Sequence, residues 1–277
     1  MTPKISVVVP CYNQAKYMRD ALDSVLASTF QDWECVIVND GSKDETIQIA
    51  REYEQKDARF HVVDIPNGGL ANARNVGIRH SHGKYILPLD SDDKIGDRYL
   101  ALAVEHLERH PETKLAYCYC HFFGDVVGFR YLPDYSYQTI LWQNVFVTAC
   151  VYRRSDFDRT NGYNPNMKHG HEDWDFWLSL LSPDDHVYRI PEVQFYYRKH
   201  GVSMIDGTIE RLSETNRQLV LNHLDVYTPY LGDMIAWHNE LLHYKGSYWA
   251  LLKSPTYKLG AFLLYPFKSL RDLLKKI

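Results

Sequence analysis

The sequence predicts an α/β protein with a mainly parallel, Rossmann-like central sheet flanked by helices and followed by a helical C-terminal extension. Through the first half of its 277 residues, apolar runs of strand length alternate with amphipathic segments of helical spacing. That alternation is typical of parallel strands joined by crossover helices. From about residue 207 onward, helical segments separated by Pro229 and Pro255 replace it. A composition of 45% apolar and 24% charged residues indicates a globular protein with a packed core.

Four strands are predicted in the first half, and a helix follows each of the first three. The strands are expected at residues 5–10, 35–39, 60–65 and 85–89. The helices are expected at residues 17–27, from Ser42 or Asp44 to about 54, and at 70–80. Pro88 makes the end of the fourth strand less certain, because proline cannot donate a hydrogen bond to a neighbouring strand.

The second half is less regular and richer in aromatic residues. A helix at residues 99–109 precedes two runs, 115–123 and 126–132, that resemble antiparallel or mixed strands. The remaining predictions are a strand at 145–152, a helix at 172–181 and one or two strands at 187–197, broken near Pro191. We therefore expect one domain over residues 1–205 and a helical extension over 206–277.

Charge and cysteine content exclude several classes of protein. The formal charge of -4 disfavours a general nucleic-acid binder, which needs a basic surface for phosphates. The five cysteines are odd in number and form no C-x-x-C pair, so neither a disulfide framework nor a zinc site is expected. The N-terminus lacks the features of a signal peptide, and no apolar run is long enough to span a bilayer. These features predict a cytoplasmic protein.

Polar clusters follow the predicted parallel strands, whose carboxyl ends share one edge of the sheet. Each cluster alone is typical of a turn or a helix cap. Two carboxylates separated by one residue can also reach the same hard cation, and oxygen ligands suit Mg²⁺ or Mn²⁺. The clusters are Pro10, Tyr12 and Asn13 after the first strand, Asp40-Gly41-Ser42 after the second, Gly68-Gly69 after the third, and Asp90-Ser91-Asp92 after the fourth.

Five segments together resemble the inverting family 2 glycosyltransferases, which have the nucleotide-sugar-dependent GT-A fold. They occur in the family's order and approximate spacing within residues 4–205, with Asn39 where a second aspartate is common. The segments are VVPCYN (8–13), VIVNDGSKDET (36–46), NGGLANARNVG (67–77), GKYILPLDSDD (83–93) and HEDWDFW (171–177). The resemblance implies a nucleotide-sugar half at about residues 1–95 and an acceptor half at about 96–205.

The resemblance assigns donor and metal sites to the predicted edge. It implies that Asp40 accepts a hydrogen bond from the nucleotide base and that Arg74 contacts the nucleotide, although Arg74 could instead form a salt bridge. The D-x-D pair, Asp90 and Asp92, implies a metal site for Mn²⁺ or Mg²⁺, and His200 completes the metal shell unless it belongs to a solvated loop. The other implied donor contacts are Pro10, Tyr12, Asn13, Asp90 and Ser91.

The catalytic base implied by the resemblance is Asp173, which takes a proton from the acceptor hydroxyl. Burial against aromatic residues would raise its pKa, although helix capping is an alternative role. The implied acceptor contacts are Glu172, which could instead support Asp173, and Trp174, which could also anchor the helix. Arg198 and Lys199 could offset charge on the leaving group.

The implied function is metal-dependent inverting transfer of a sugar from a nucleotide diphosphate sugar, with a UDP-sugar as the expected donor, to a hydroxyl of a glycan or lipid-linked glycan in cell-surface polysaccharide synthesis. One alternative is a nucleotidyltransferase, although its usual Gly-rich phosphate loop is absent after the first strand. Another is a non-catalytic nucleotide- or carbohydrate-binding module, which would not need both acidic motifs.

The last 27 residues combine positive charge with aromatic and aliphatic side chains. Residues 251–277 hold six basic residues against Asp272, interleaved with tyrosine, phenylalanine and leucine. That composition suits peripheral contact with the inner face of the plasma membrane, and it equally suits a helix packed on the catalytic domain.

Overall fold

The computed structural model describes residues 2–200 and 204–259. Its strands are β1 (Ile5–Cys11), β2 (Trp33–Asp40), β3 (Phe60–Ile65), β4 (Tyr85–Pro88), β5 (Lys94–Ile95), β6 (Thr113–Gly124), β7 (Gly128–Arg130), β8 (Val151–Arg153) and β9 (His186–Lys199). Its helices are α1 (Met18–Leu26), α2 (Thr46–Lys56), α3 (Leu70–His80), α4 (Tyr99–Arg109), α5 (Tyr137–Trp142), α6 (Arg154–Phe157), α7 (Glu172–Leu180), α8 (Met204–Asn222), α9 (Leu224–Tyr227) and α10 (Leu231–Lys253).

These strands form one mixed sheet in the order β3-β2-β1-β4-β8-β6-β9-β5, with β7 paired to β6. The first four in this order are mutually parallel, as the alternating sequence predicts. Strand β8 then runs antiparallel to both β4 and β6, and β9 pairs with β6 in parallel. The predicted α/β class with a mainly parallel central sheet and flanking helices is confirmed.

The centre of the sheet is buried on both faces, which explains why its strands are continuous apolar runs. Every residue of β1 and β2 is buried. Helix α3 lies directly on these strands because Gly77 has no side chain. A Cβ at that position would lie 2.4 Å from Val8 Cγ1 and 2.8 Å from Val38 Cγ2. This close approach brings the residues at the start of α3 to the carboxyl edge of the sheet.

Two predictions in the second half were wrong in detail. In the apolar run at 145–152, the strand begins only at Val151. Most of the preceding side chains are buried in the core, but the backbone that carries them is irregular and pairs with no described strand. Conversely, β9 continues through Pro191 without a break. Its pairing with β6 shifts register at several points along the strand. Helix α5 was not predicted, although Ser136 caps it by accepting a hydrogen bond from the Thr139 N–H.

The described chain divides into two compact units, one ending at His223 and the other beginning at Leu224. Helix α8, which the sequence assigns to the extension, belongs to the first unit. Its last residue, Asn222, donates a 2.6 Å hydrogen bond to Asp175 of α7. The second unit contains α9, a short 3₁₀ turn at Thr228–Tyr230, and α10. No helix among the described residues is long and apolar enough to cross a bilayer.

Candidate active site

The loops after β1 and β2 are tied to each other by hydrogen bonds through Asn13. Its backbone N–H donates to Ser42 Oγ at 3.0 Å, and its side-chain oxygen accepts from the Lys43 N–H at 2.8 Å. Asn13 has a φ of 53°, a left-handed conformation that asparagine tolerates better than most residues. The predicted meeting of these two clusters at one edge is therefore observed, and Asn13 helps to hold them together.

Asp40 joins β2 to the glycine loop that precedes α3. Its two carboxylate oxygens accept hydrogen bonds from the backbone N–H groups of Gly68 at 2.7 Å and Gly69 at 2.9 Å. Asn67 reinforces the contact by donating to the Asp40 carbonyl oxygen at 2.9 Å. An ionised carboxylate has about four acceptor positions, so these two hydrogen bonds do not use all of them; Asp40 is 3% exposed, and its predicted contact with the nucleotide base remains a prediction.

Replacing Asp40 with asparagine is expected to loosen this loop. The amide has one acceptor oxygen, so its NH₂ group would face one of the two backbone N–H donors at a position only 3% exposed. A buried donor left without a partner costs about 1–3 kcal/mol, and thermal or urea unfolding would measure the loss. The matched control is Asp64→Asn, which keeps the oxygen that accepts from Asn39. Equal stability of the two variants would contradict the prediction.

Arg74 connects the two halves of the chain at the centre of the site. Its guanidinium is fully buried and donates to Asp90 Oδ1 at 2.6 Å and to Glu172 Oε1 at 2.7 Å. It also lies over the ring of Tyr163, with 5.3 Å between Cζ and the ring centroid. Arg74 therefore positions the end of β4 against the start of α7, which lies 98 residues further along the chain.

The electrostatics of Arg74 depend on these two carboxylates. Burial alone would disfavour its charge, but Asp90 and Glu172 outweigh that effect and hold the Arg74 pKa well above its ordinary value. Its Nε atom is buried without a hydrogen-bond partner among the described residues. Arg74 thus forms a buried salt bridge, whereas the alternative considered from the sequence was a salt bridge at the surface. The predicted nucleotide contact remains a prediction, because the guanidinium is enclosed in this structure.

Asp93 is a buried acid at the end of β4 that the sequence analysis did not assign. Its carboxylate accepts a 2.8 Å hydrogen bond from the Arg198 N–H. Burial, followed by the charges of Asp92 and Asp90, raises the Asp93 pKa well above its ordinary value. A signal was present in the sequence, since Asp93 directly continues the acidic motif.

His200 and Asp92 form the best candidate pair of metal ligands. His200 Nε2 lies 3.0 Å from Asp92 Oδ2, and the imidazole stacks on Tyr17 with 4.4 Å between ring centroids. Neighbouring ligands of an octahedral ion at about 2.1 Å would lie about 3 Å apart, so this spacing fits one ion. A carboxylate and an imidazole also suit Mn²⁺ chemically.

Asp90 is engaged by Arg74. Its Oδ1 atom is held by Arg74, and its side chain remains one-quarter exposed. In the part of the chain that the structure describes, no three histidine, cysteine or acidic side chains converge closely enough to hold a metal ion. The predicted set of Asp90, Asp92 and His200 therefore contains one adjacent pair and a third residue engaged elsewhere.

Arg198 fixes the segment before His200 beside the acidic strand end. Its Nε donates to the Asp92 carbonyl oxygen at 2.7 Å, and its terminal nitrogen pairs with Asp20. The guanidinium also lies 4.2 Å from the ring centroid of Phe123. Arg198 thus positions His200, and its own charge is largely engaged by these contacts.

Asp173 lies in the first turn of α7, as predicted for the catalytic base. One carboxylate oxygen accepts from the Trp174 N–H at 2.7 Å, and the other accepts from Asn144 at 3.2 Å and lies 3.4 Å from the Thr148 hydroxyl. Burial raises the Asp173 pKa, and the charge of Asp90 adds to the rise, whereas Arg74 opposes it. An aspartate with a raised pKa is a better proton acceptor near neutral pH.

The turn before α7 has an unusual backbone conformation. His171 has a φ of 63°, which places it in the left-handed region. Such conformations cost about 1–3 kcal/mol and cluster at active sites. His171 packs edge-on against Trp174, with 5.2 Å between ring centroids, so the surrounding contacts hold this turn in place.

The remaining predicted residues divide into buried supports and exposed groups. Trp174 is 7% exposed and donates its indole N–H to the Ile140 carbonyl oxygen at 2.6 Å, so it anchors α7 in this structure. Pro10 and Ser91 are buried at the strand ends, whereas Tyr12 is exposed beside them. Sequence reasoning missed Asn144, Thr148 and Tyr163, because only the folded chain brings them to Asp173 and Arg74.

Comparison with known proteins identifies the family of this chain. The family model of glycosyl transferase family 2 matches residues 6–171. The chain is 30% identical over 226 residues to the uncharacterized glycosyltransferase EpsJ of Bacillus subtilis, covering 74% of this chain and 64% of EpsJ. It is 31% identical over 204 residues to the putative teichuronic acid biosynthesis glycosyltransferase TuaG of the same organism, covering 71% of this chain and 79% of TuaG.

Solved structures share the fold. TarS 1–349 of S. aureus in complex with UDP-GlcNAc superposes with a TM-score of 0.64 at 22% identity, covering 79% of this chain and 66% of that one. The mannosyltransferase PcManGT of Pyrobaculum calidifontis, in complex with GDP-Man and Mn²⁺, gives a TM-score of 0.61 at 17% identity, covering 100% of this chain and 89% of that one. The predicted GT-A fold is therefore confirmed.

Proposed function

The chain belongs to glycosyl transferase family 2, and from that premise we propose that it transfers a sugar, with inversion, from a UDP-sugar to a hydroxyl of a glycan or lipid-linked glycan in cell-surface polysaccharide synthesis. The similarity to TuaG, a putative teichuronic acid biosynthesis glycosyltransferase, supports the polysaccharide context, and the UDP-GlcNAc complex of TarS supports the UDP-sugar donor. The observation that carries the proposal is the Arg74 bridge, which sets the acidic end of β4 beside the helix turn that holds Asp173.

The donor half of the site supplies binding groups at the strand ends. Asp40 keeps acceptor positions for the N–H of a nucleotide base after binding the glycine loop. Pro10, Tyr12 and Asn13 border the same edge and would line the base and ribose. Asp90 and Ser91, at the end of β4, would lie near the ribose and diphosphate.

In the proposed reaction, Asp173 removes the proton of the acceptor hydroxyl. The acceptor oxygen forms a bond to the anomeric carbon as the bond from that carbon to the diphosphate oxygen breaks on the opposite face. The proton ends on Asp173, and the electron pair of the broken bond leaves with the nucleoside diphosphate. Asn144 and Thr148 orient the carboxylate for this transfer.

Asp92 and His200 would hold Mn²⁺ or Mg²⁺, with Asp90 near them at the same strand end. When bound, such an ion neutralises charge on the departing diphosphate. Arg198 supports the pair by hydrogen-bonding the Asp92 carbonyl oxygen. Glu172 accepts a hydrogen bond from Arg74 in this arrangement. The predicted contacts of Glu172 and Trp174 with the acceptor remain predictions.

A panel of nucleotide sugars with Mn²⁺ tests the proposal. We expect slow release of UDP from one UDP-sugar without an acceptor and faster release when a glycan acceptor is added. Conversion of the nucleotide sugar and labelled pyrophosphate to labelled nucleoside triphosphate and sugar 1-phosphate, without sugar transfer, would instead indicate a nucleotidyltransferase. Tight nucleotide binding with no release from any donor would indicate a non-catalytic binding module.

Removal of divalent ions is expected to abolish UDP release, and Mn²⁺ should restore it. In a thermal-shift titration, Mn²⁺ with UDP should raise the unfolding temperature of the wild-type protein and of Asp64→Asn. Asp92→Asn should respond far less, because an amide is a weaker ligand for a hard cation. An unchanged response of the Asp92 variant would contradict its assignment as a metal ligand.

A further inference from the structure

Helix α10 presents an unusually apolar surface to solvent. It runs for 23 residues, or about 35 Å at 1.5 Å per residue. Among its residues with described side chains, all are exposed except the half-buried Leu252. A helix normally buries its apolar stripe, so a surface of this size indicates an interaction site. The exposed large side chains are Leu231, Ile235, Trp237, Leu241, Leu242, Tyr244, Tyr248, Trp249 and Leu251.

These side chains occupy one broad arc of the helix. At about 100° per residue they cover about 200° of its circumference, and we call this surface the aromatic arc of α10. Small and polar residues occupy the remaining side of the helix. They are Gly232, Ala236, Asn239, Glu240, His243, Gly246, Ser247 and Ala250. One broad side of α10 is therefore mainly apolar, and it also contains His238 and Lys245.

Charge is distributed unevenly around this helix. Lys245 lies within the aromatic arc and Lys253 lies at one border, whereas the acidic residues Asp233 and Glu240 lie at or beyond the other border. Lys258 follows shortly after the helix. The sequence beyond the described residues adds three lysines and one arginine against Asp272. The basic groups thus accompany the apolar surface and continue past it.

We propose that α10 lies in the plane of an anionic lipid surface, with its aromatic arc facing the acyl chains. Tyr244, Tyr248 and Trp249 combine an apolar ring with a polar atom, as side chains at the boundary of headgroups and acyl chains do. Lys245 would extend from the arc to a lipid phosphate, whereas burial in a protein interface would require an acidic partner there.

This inference rests on the proposed function in one respect: a lipid-linked acceptor is reached at a membrane surface. It differs from the prediction made for residues 251–277, because it assigns the contact to a helix that precedes most of them. Residues 260–277 lie outside the described part of the chain, so the contact predicted for residues 251–277 remains a prediction.

Vesicle sedimentation of the full chain tests the proposal with matched charge changes on opposite sides of α10. The test variant is Leu241→Glu/Tyr248→Glu on the aromatic arc, and the control is His243→Glu/Ser247→Glu on the polar side. With vesicles of phosphatidylglycerol and phosphatidylcholine in equal parts, the wild type and the control should sediment alike. The partition of the test variant should fall by about tenfold or more, since it loses two apolar contacts.

Three results would overturn the proposal. They are a wild-type chain that does not sediment with these vesicles, equal loss of binding by both double variants, and a lipid-free dimer that only Leu241→Glu/Tyr248→Glu dissociates. The last result would show that a second copy of the chain covers the arc. Sedimentation equilibrium without lipid distinguishes it from the other two.

Failure of the membrane proposal can be separated from failure of the proposed function by measuring UDP release in the absence of lipid. Both double variants should release UDP from the donor as the wild type does, because α10 supplies no residue to the proposed reaction. If the two double variants differ in vesicle binding but the wild type releases no UDP, only the proposed function is refuted. If the wild type releases UDP but does not bind vesicles, only the membrane proposal is refuted.

Discussion

Asp173→Asn is expected to bind the donor nucleotide normally and to lose sugar transfer by about a hundredfold to ten-thousandfold, the usual contribution of a positioned general base. The amide cannot take the acceptor proton, whereas the residues assigned to the nucleotide lie on other elements. Calorimetric titration with UDP and a transfer assay measure the two properties separately. Robust transfer by this variant would remove Asp173 from the proposed role.

The fold should survive this substitution. The asparagine oxygen can still accept from the Trp174 N–H, and the Thr148 hydroxyl can rotate to accept from the new NH₂ group. The Asn144 NH₂ group loses its acceptor, so a stability loss of about 1–3 kcal/mol is expected without loss of the fold. Asp175→Asn is the matched control, because Asp175 also lies in the first turn of α7 but binds Asn222. If both variants lose transfer equally, disturbance of the helix would explain the loss.

The pH dependence of transfer gives a second test of the base. Only the Asp173 carboxylate takes a proton, so transfer should fall as the pH falls through the pKa of this group. Because burial raises that pKa, the fall should begin at a higher pH than an exposed aspartate would give. Donor binding should not follow the same curve.

The donor half of the fold was predictable because its signals are local. Strands β1 to β4 are short apolar runs ended by polar residues, and α3 matched its predicted bounds at residues 70–80. Parallel strands place their carboxyl ends at one edge, so the meeting of Asp40 with the glycine loop followed from topology.

The second half was harder to predict because its signals are not local. The run at 145–152 has the composition of a strand, yet most of it is buried beneath other elements without strand pairing. Asn144 and Arg74 carry no pattern that identifies their partners, which are 29 and 98 residues away. Such pairings depend on tertiary packing, which a sequence pattern does not report.

Arg74→Met is expected to destabilise the first unit by about 3–5 kcal/mol, the usual cost of leaving a buried charge without its partner. Glu172 is buried and would lose its guanidinium, and Asp90 would lose the same partner. Chemical unfolding measures this loss. Arg74→Lys should recover part of it, because one ammonium group restores the charge but cannot bind both carboxylates as a planar fork does.

The double variant Arg74→Met/Glu172→Gln distinguishes a purely structural role of Arg74 from a positioning role. This double variant removes the buried carboxylate, so we expect most of the stability to return. Arg74 lowers the pKa of Asp173, so its loss raises that pKa, whereas loss of the neighbouring Glu172 charge works against the rise. The matched reference is therefore Glu172→Gln alone, and the acidic limb of the transfer profile should lie at higher pH in the double variant than in that reference. A stable double variant with the profile of Glu172→Gln would show that Arg74 acts on stability alone.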